Sequence, residues 1–561
     1  MIDPNNIDIV AGSGNTNINA ASPFATTDDT ASLGVLLIQS ALSGGANVTI
    51  TTGTANTNAQ AGNITFFASI DFDGTGTNTL TLSAVNDIVI DFGITDTNTG
   101  TADTLNLVLT ADSDIDGSGA ISIATGETVA TGGGTLDITA GNGLTVTGSI
   151  DAGTGKITVQ NNSASSNAAI GLGATTCSGT CDILITDAQL GRITAGDLEI
   201  TNAGVGTTFV NNVSAANSNK ISGTLTLNAI VAGGSSVIFN GTASTFNALA
   251  VNANDTITVS STLTTDTGGM TFDAGGNISG AALAVAGNSS FTVTGVSTLT
   301  LTNAANDFTG GITLAGGSGA MQLTDSTATT LTSATGSGSN LTLTTSTGSI
   351  TLANNAISVG AGNVTLVSTL GSIEEATNNA TVNITASGII SLTGATGVGA
   401  TSAIDIFSSA ALVVDSNQNI QINSTTAITD LTITLDPSTQ ADSTYSIAAT
   451  NFSTFTLTDN GANVELGQVA LSSGSLNLSL TTSSGNLDIG TNGTVDIGGT
   501  GILTILSAGS ITDTNALTVG GTSSFTVVGA STITLDNASN SFTGIMTLAS
   551  GTGAIQVNNG S

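Results

Sequence analysis

The chain has no histidine, no tryptophan, one tyrosine, three prolines and two cysteines, and its only cationic side chains are Lys156, Arg192 and Lys220, against 38 acidic ones. Without histidine there is no Ser-His-Asp or Cys-His catalysis, no common zinc site and no ordinary general base near neutral pH. Three cations give no basic surface that could release counterions from phosphate, which excludes a nucleic-acid partner. No stretch reaches the roughly 18 consecutive apolar residues of a membrane-spanning helix. The opening Met1-Ile2-Asp3-Pro4 lacks the basic-then-apolar order of a secretory leader. Only carboxylates remain to do chemistry.

What fills the chain instead is Thr, Ser, Asn and Gly interleaved with aliphatic side chains, at a formal net charge of −35. Leu299-Thr300-Leu301, Leu341-Thr342-Leu343-Thr344 and Leu431-Thr432-Ile433-Thr434-Leu435 alternate with period two and are bounded by Gly, Asn or Ser. Such runs predict half-buried strands with β-branched Thr on the other face. A long repeat is also present. Residues 291–323 align without gaps on 525–557, an offset of 525 − 291 = 234, with 21 of 33 positions identical. Both copies carry Asn-Ala-x-Asn-x-Phe-Thr-Gly, at Asn303 to Gly310 and Asn537 to Gly544.

Equivalent strands recur at intervals that suit an all-β parallel β-helix, a β-solenoid with about 21 residues per coil, three short strands and three turns to a coil, wound as a single elongated rod. The expected organisation is an N-terminal domain over 1–125, then continuous solenoid repeats over 126–561 with the duplicated block around 270–323 and 504–557. One helix is predicted, over Ser32 to Leu42, with Leu33, Leu36, Leu37 and Ala41 on one face and Gly44-Gly45 as its stop. Of the 16 phenylalanines, Phe66, Phe67, Phe239, Phe291, Phe308, Phe452, Phe455, Phe525 and Phe542 are expected in interior stacks or corners.

The candidate metal ligands are Asp112, Asp114 and Asp116. Asp112-Ser113-Asp114-Ile115-Asp116-Gly117 has the Asp-x-Asp-x-Asp-Gly half of a calcium loop, in which alternate carboxylates wrap a hard cation and Gly permits the sharp turn. Position twelve is Ile123, where a bidentate Glu belongs. Asp71-Phe72-Asp73-Gly74 is a shorter version of the same word, and an Asp-Gly turn between strands accounts for either. Ca2+ is thus the one cofactor the sequence raises, and no other is indicated. Cys177-Ser178-Gly179-Thr180-Cys181 cannot complete a zinc tetrahedron and favours a disulfide between Cys177 and Cys181, with free thiols as the alternative. Glu374-Glu375 is the sole adjacent Glu pair and reads as a solvated turn rather than as paired catalytic acids. Thr-x-Thr words such as Thr298-Leu299-Thr300 and Thr532-Ile533-Thr534 resemble the faces of ice-binding solenoids. Their positions drift along the sequence, and β-propensity on an exposed face explains them.

At the N-terminus, Ile2-Asp3-Pro4-Asn5-Asn6-Ile7-Asp8-Ile9, Leu36-Leu37-Ile38-Gln39-Ser40-Ala41-Leu42 and Asn47-Val48-Thr49-Ile50 resemble the secretion domain of filamentous-haemagglutinin-like large exoproteins and adhesins of the two-partner-secretion type. Asn63-Ile64-Thr65-Phe66 and the run from Leu80 to Ile90 continue the likeness, which covers roughly residues 1–125. Asp3-Pro4-Asn5-Asn6 stands where many members carry Asn-Pro-Asn-Gly. The resemblance implies a right-handed β-helix, export through an outer-membrane secretion partner, and an adhesive or filament role outside a bacterial cell.

The expectation is therefore a secreted, non-catalytic stalk or adhesin at the cell surface, whose partner is a glycan or protein of a host or neighbouring cell. The alternative is a subunit of an extracellular filament or calcium-dependent surface layer, which works by self-association.

Overall fold

Period-two alternation decides the architecture. Each strand sends one set of side chains inward and the other outward, and a chain with few charges and many Gly and Asn turns satisfies its backbone by laying coil upon coil. The computed structural model describes residues 5–560 apart from 54–59, 75, 97–102, 163–168, 175–176, 178–180, 378, 380, 400, 409–410, 417–419, 421, 425–427, 436–442, 450–451, 460–462, 471–475, 483–484 and 492. The opening Met1-Ile2-Asp3-Pro4 and the Ser178-Gly179-Thr180 turn lie outside the described residues, as do the side chains of Phe452 and Phe455.

The protein is a β-solenoid of stacked parallel strands with few helices, its turns about 23 residues apart. It divides into two compact units, Met1–Asn288 and Ser289–Ser561. The strands on either side of residue 125 belong to the same sheets: 121–123 pairs with both 88–90 and 144–146, and 128–130 pairs with both 94–96 and 149–151. In the first unit a coil has three sides, as at 64–66, 70–72 and 77–83, followed one layer on by 88–90, 94–96 and 104–110. Ile64, Ile88, Ile121 and Leu144 form one inward column, and Leu80, Leu107, Leu136 and Ile157 another; all are buried.

The first coil departs from the parallel scheme. Asn15–Thr16, an exposed two-residue strand, lies antiparallel against 31–34, which leaves a short polar edge where a longer apolar one would invite pairing. Strand 31–34, which also pairs in parallel with 7–10, corrects the expected helix. Leu33 is opposite Ile9 in a strand, so the helix starts at Val35 and runs to Ser43 with Val35, Ile38 and Leu42 buried and Leu36 outward. Gly45, at a φ of 86°, ends it. Two four-residue helices that the sequence analysis did not predict follow at 187–190 and 215–218.

Asn and Asp side chains link the coils. The Asn6 Oδ1 accepts from the amides of Gly62 and Asn63, each at 2.9 Å; the Asn63 Oδ1 accepts from the Asp87 amide at 3.1 Å; the Asp87 Oδ1 accepts from the Ala120 amide at 2.9 Å. In the second unit Asn340 and Asn363 do the same for the amides of Asn363 and Ile389. These amides stand where a strand begins, so the side chain fills a gap in the ladder.

In the second unit one sheet passes through twelve strands, from 299–301 to 546–549. Its register aligns Thr300, Gln322, Thr342, Thr365, Ser391, Val413, Thr432, Thr456, Ser479, Thr504, Ser524 and Thr547, one per coil. A second row, two residues on, aligns Thr324, Thr344, Val367, Thr393, Asp415, Thr434, Thr458, Thr481, Leu506, Thr526 and Ala549. Where side chains are described, both rows lie on the solvent side, and Leu341, Val364, Ile390 and Leu412 stack behind them, buried. The expectation that the Thr positions drift is overturned in space. Coil length varies from 432 − 413 = 19 to 391 − 365 = 26 residues, yet the loops absorb the difference and the strands stay in step. A neighbouring sheet of the same unit is less regular, with register shifts at Ile312/Thr313 and Tyr445/Ile447.

Most of the named phenylalanines are interior. Phe291 meets Phe308 edge-on at 5.8 Å, and their copies Phe525 and Phe542 meet at 6.0 Å. Among those whose side chains are described, Phe67 is the exception, half exposed because Phe66 takes the inward position. Phe291→Ala is expected to cost about 3–5 kcal/mol. Because solenoid stability is local, hydrogen exchange should speed up at the amides of 289–315 and leave 64–110 unchanged.

Candidate functional site

Strand 104–110 ends in a tight loop built on Asp112. This residue is fully buried and left-handed at φ 63°, and its Oδ1 accepts from the amides of Asp116 at 2.8 Å and Gly117 at 3.0 Å. The Asn162 amide group donates to its carbonyl at 2.6 Å, and a Cβ on Gly141 would run into its carboxylate, so the packing around it admits only glycine there. Asp114 and Asp116 are exposed, and one carboxylate oxygen from each of the three residues lies within 4.8 Å of the others. Three such oxygens suit a hard cation open to solvent on one side. Ile123 has no side-chain oxygen to offer and is a core residue of strand 121–123, buried between two neighbouring coils. The loop is thus a turn nucleated by Asp112 whose two remaining carboxylates face water.

Asp71-Phe72-Asp73-Gly74 is a strand end. Phe72 points into the core while Asp71 and Asp73 are exposed, and a Cβ on Gly74 would strike the Phe72 ring. Cys177 and Cys181 are joined through their Sγ atoms with Cα atoms 5.5 Å apart. The bond rests on Gly171, where a Cβ would stand 3.0 Å from one sulfur and 3.2 Å from the other.

Glu374 and Glu375 are not a solvated turn. They end strand 373–375, and alternation sends them to opposite sides. Glu375 is buried, its Oε2 accepting from the Asn379 amide and the Ser402 hydroxyl at 3.4 Å each, whereas Glu374 accepts outside from the amide and hydroxyl of Thr401. Adjacent acids on opposite faces do not form a catalytic pair. Of the cations, Lys156 pairs with Glu199 at 2.5 Å, and Arg192 donates to the Thr147 carbonyl at 2.7 Å.

A polar network that the sequence analysis missed joins the two short helices. The Asp187 carboxylate accepts from the Ser214 amide at 2.8 Å, the Ser214 hydroxyl at 2.9 Å and the Asn217 side chain at 2.7 Å. Its visible signal was Thr186-Asp187-Ala188-Gln189, a capping box in which the Thr186 hydroxyl accepts from the Gln189 amide while the Gln189 side chain accepts from the Thr186 amide.

Burial raises the carboxyl pKa of Asp8, Asp112, Asp182, Asp325 and Asp513 above the ordinary value. At Asp112 the charges of Asp116 and Asp114 add to burial, against the two backbone amides. Glu199 is lowered, chiefly by the hydrogen bond from Lys156. A raised carboxyl contributes stability that is complete below its unfolded pKa and lost as pH rises through the folded one; Glu199 contributes in the opposite sense.

Two segments, residues 241–315 and 452–549, match a family model described as repeats of unknown function (DUF5649). Their ends are separated by 549 − 315 = 234 residues, the offset of the repeated block. No curated protein matches the chain. The repeat bears on Asp325, which is buried and accepts from the amides of Phe308 and Thr327 and the Thr329 hydroxyl. Its copy, 325 + 234 = 559, is Asn559, which accepts from the Phe542 amide at 3.1 Å. Asp325→Asn is therefore expected to raise the thermal midpoint at pH 7 and to flatten its rise between pH 7 and 4, as followed by circular dichroism.

Proposed function

We propose that the protein is a non-catalytic structural and adhesive β-solenoid, exported to a bacterial surface, where it holds the cell to a glycan or protein of a host or neighbouring cell. The observation that carries this reading is how the polar side chains are spent. Asn6, Asn63, Asp87, Asn340 and Asn363 bond coil to coil, and adjacent acids such as Glu374 and Glu375 diverge. A stack of self-similar layers is a spacer by construction, since each layer adds length at the cost of one coil. The N-terminal words that resemble the secretion domain of filamentous-haemagglutinin-like exoproteins support export through an outer-membrane partner.

The test is location and binding together. Antibody labelling of intact cells is expected to reach the protein, and purified protein is expected to bind cells or a glycan surface without turning over any polysaccharide. A protein found only inside cells, or one that releases reducing sugar, would refute the reading.

The loop of Asp112, Asp114 and Asp116 favours a second reading, a calcium-dependent surface layer or filament. Under it, millimolar Ca2+ shifts the protein to large species in sedimentation, and Asp114→Asn with Asp116→Asn abolishes the shift. Sedimentation unchanged by Ca2+ would leave the stalk reading alone.

A further inference from the structure

We infer that the outward face formed in the second unit by the twelve strands from 299–301 to 546–549 binds ice. The two hydroxyl rows already described form a two-dimensional lattice. Within it the repeat is about 4.8 Å from coil to coil and about 6.7 Å between residues two apart on a strand. Ten of the twelve positions in the first row and seven of the eleven in the second are Thr or Ser. No shift interrupts the register, so the spacing is kept over many coils, and the aliphatic columns stacked behind fix the strands whose side chains are described.

The hydroxyls are available. Among the described residues Thr342, Thr344, Thr365, Ser391 and Thr393 form no side-chain hydrogen bond within the protein. A long sheet of the first unit makes the contrast. There Asn252 donates to Asn228, Asn228 to Glu199, Thr201 to Glu199 and Gln160 to Thr139, so its outward polar groups are spent on one another. That face also carries Asp137, Glu199 and Asp273, whereas Asp415 is the one charged residue in the two rows of the second unit. Ile389, Ile502 and Ile545 stand exposed two residues before Ser391, Thr504 and Thr547 and give the face an apolar border.

These features select the occupant. A globular protein partner presents a varied surface and is held by a few aromatic or Arg anchors, and neither occurs in the rows. A polysaccharide surface is usually met by aromatic platforms, and this face has none in either row. A ligand that engages many equal sites at a fixed spacing must itself be periodic, and one that meets a nearly neutral face on a chain of net charge −35 must be uncharged. Crystalline water is both. Each hydroxyl offers one donor and two acceptor lone pairs to lattice water, each Thr methyl restrains the adjacent shell, and the stiff β-branched rotamers lose little entropy on contact.

The test is partition of the full chain into slowly growing ice, with serum albumin as the inert reference. Wild-type protein is expected to enrich in the ice. Thr365→Lys with Thr393→Lys should lower that enrichment about tenfold, the change a loss of roughly 1.4 kcal/mol brings. The near-isosteric pair Thr365→Val and Thr393→Val should lower it with an unchanged circular dichroism spectrum. Thr226→Lys with Thr271→Lys, at two outward positions of one row on the contrasted sheet of the first unit, should leave it unaltered. Wild-type protein left in the liquid, or face variants that enter ice as wild type does, would overturn the inference. So would adsorption to crystalline cellulose or chitin in place of ice, lost in the same variants.

Discussion

Everything in this protein depends on the parallel hydrogen-bond ladder between successive coils. A strand of three to five residues has almost no stability alone, but each is flanked by equivalents above and below, which satisfy its amides and carbonyls and continue its inward column. The aliphatic columns and the Phe291/Phe308 contact are consequences of that stacking, because residues at the same coil position are brought over one another whatever lies between them.

The ladder also sets what the turns must be. Backbone crosses over backbone at the corners, so a Cβ on Gly362 would run into the carbonyl of Ser339, and only glycine fits. Strand-initiating amides that the ladder misses are met by Asn and Asp from the coil below. A chain with three cations can afford 38 carboxylates and carboxamides in abundance because so many of these groups work as acceptors for backbone N–H rather than as partners for charge.

Stacking has an electrostatic corollary. Two buried carboxyls, Asp325 at the end of a strand and Asp112 in its loop, are held above their ordinary pKa by burial, and both rest on backbone amides instead of cations. The repeated block displays the trade directly: Asp325 in one copy and Asn559 in the other accept from equivalent Phe amides. The outer faces diverge in the same way. One sheet of the first unit knits its outward polar groups together around Glu199, and a different sheet, in the second unit, leaves ordered hydroxyls to the solvent.

Composition and period two were enough to give an all-β solenoid, its strands over 299–301, 341–345 and 428–435, and the duplicated block, because alternation and repetition are written residue by residue. The turn at Asp112 was legible too, since Asp-x-Asp-x-Asp-Gly encodes its own backbone bonds. Three things were not legible. Leu33 belongs to a strand because Ile9 is opposite it, Glu375 is buried because it stacks on Leu352 of the preceding coil, and the Thr rows align because loops of unequal length take up the difference between coils of 19 and 26 residues. Each is a relation between layers, and one-dimensional spacing cannot carry it: the sequence states which residues alternate, and only the stacked structure decides which of them stand side by side.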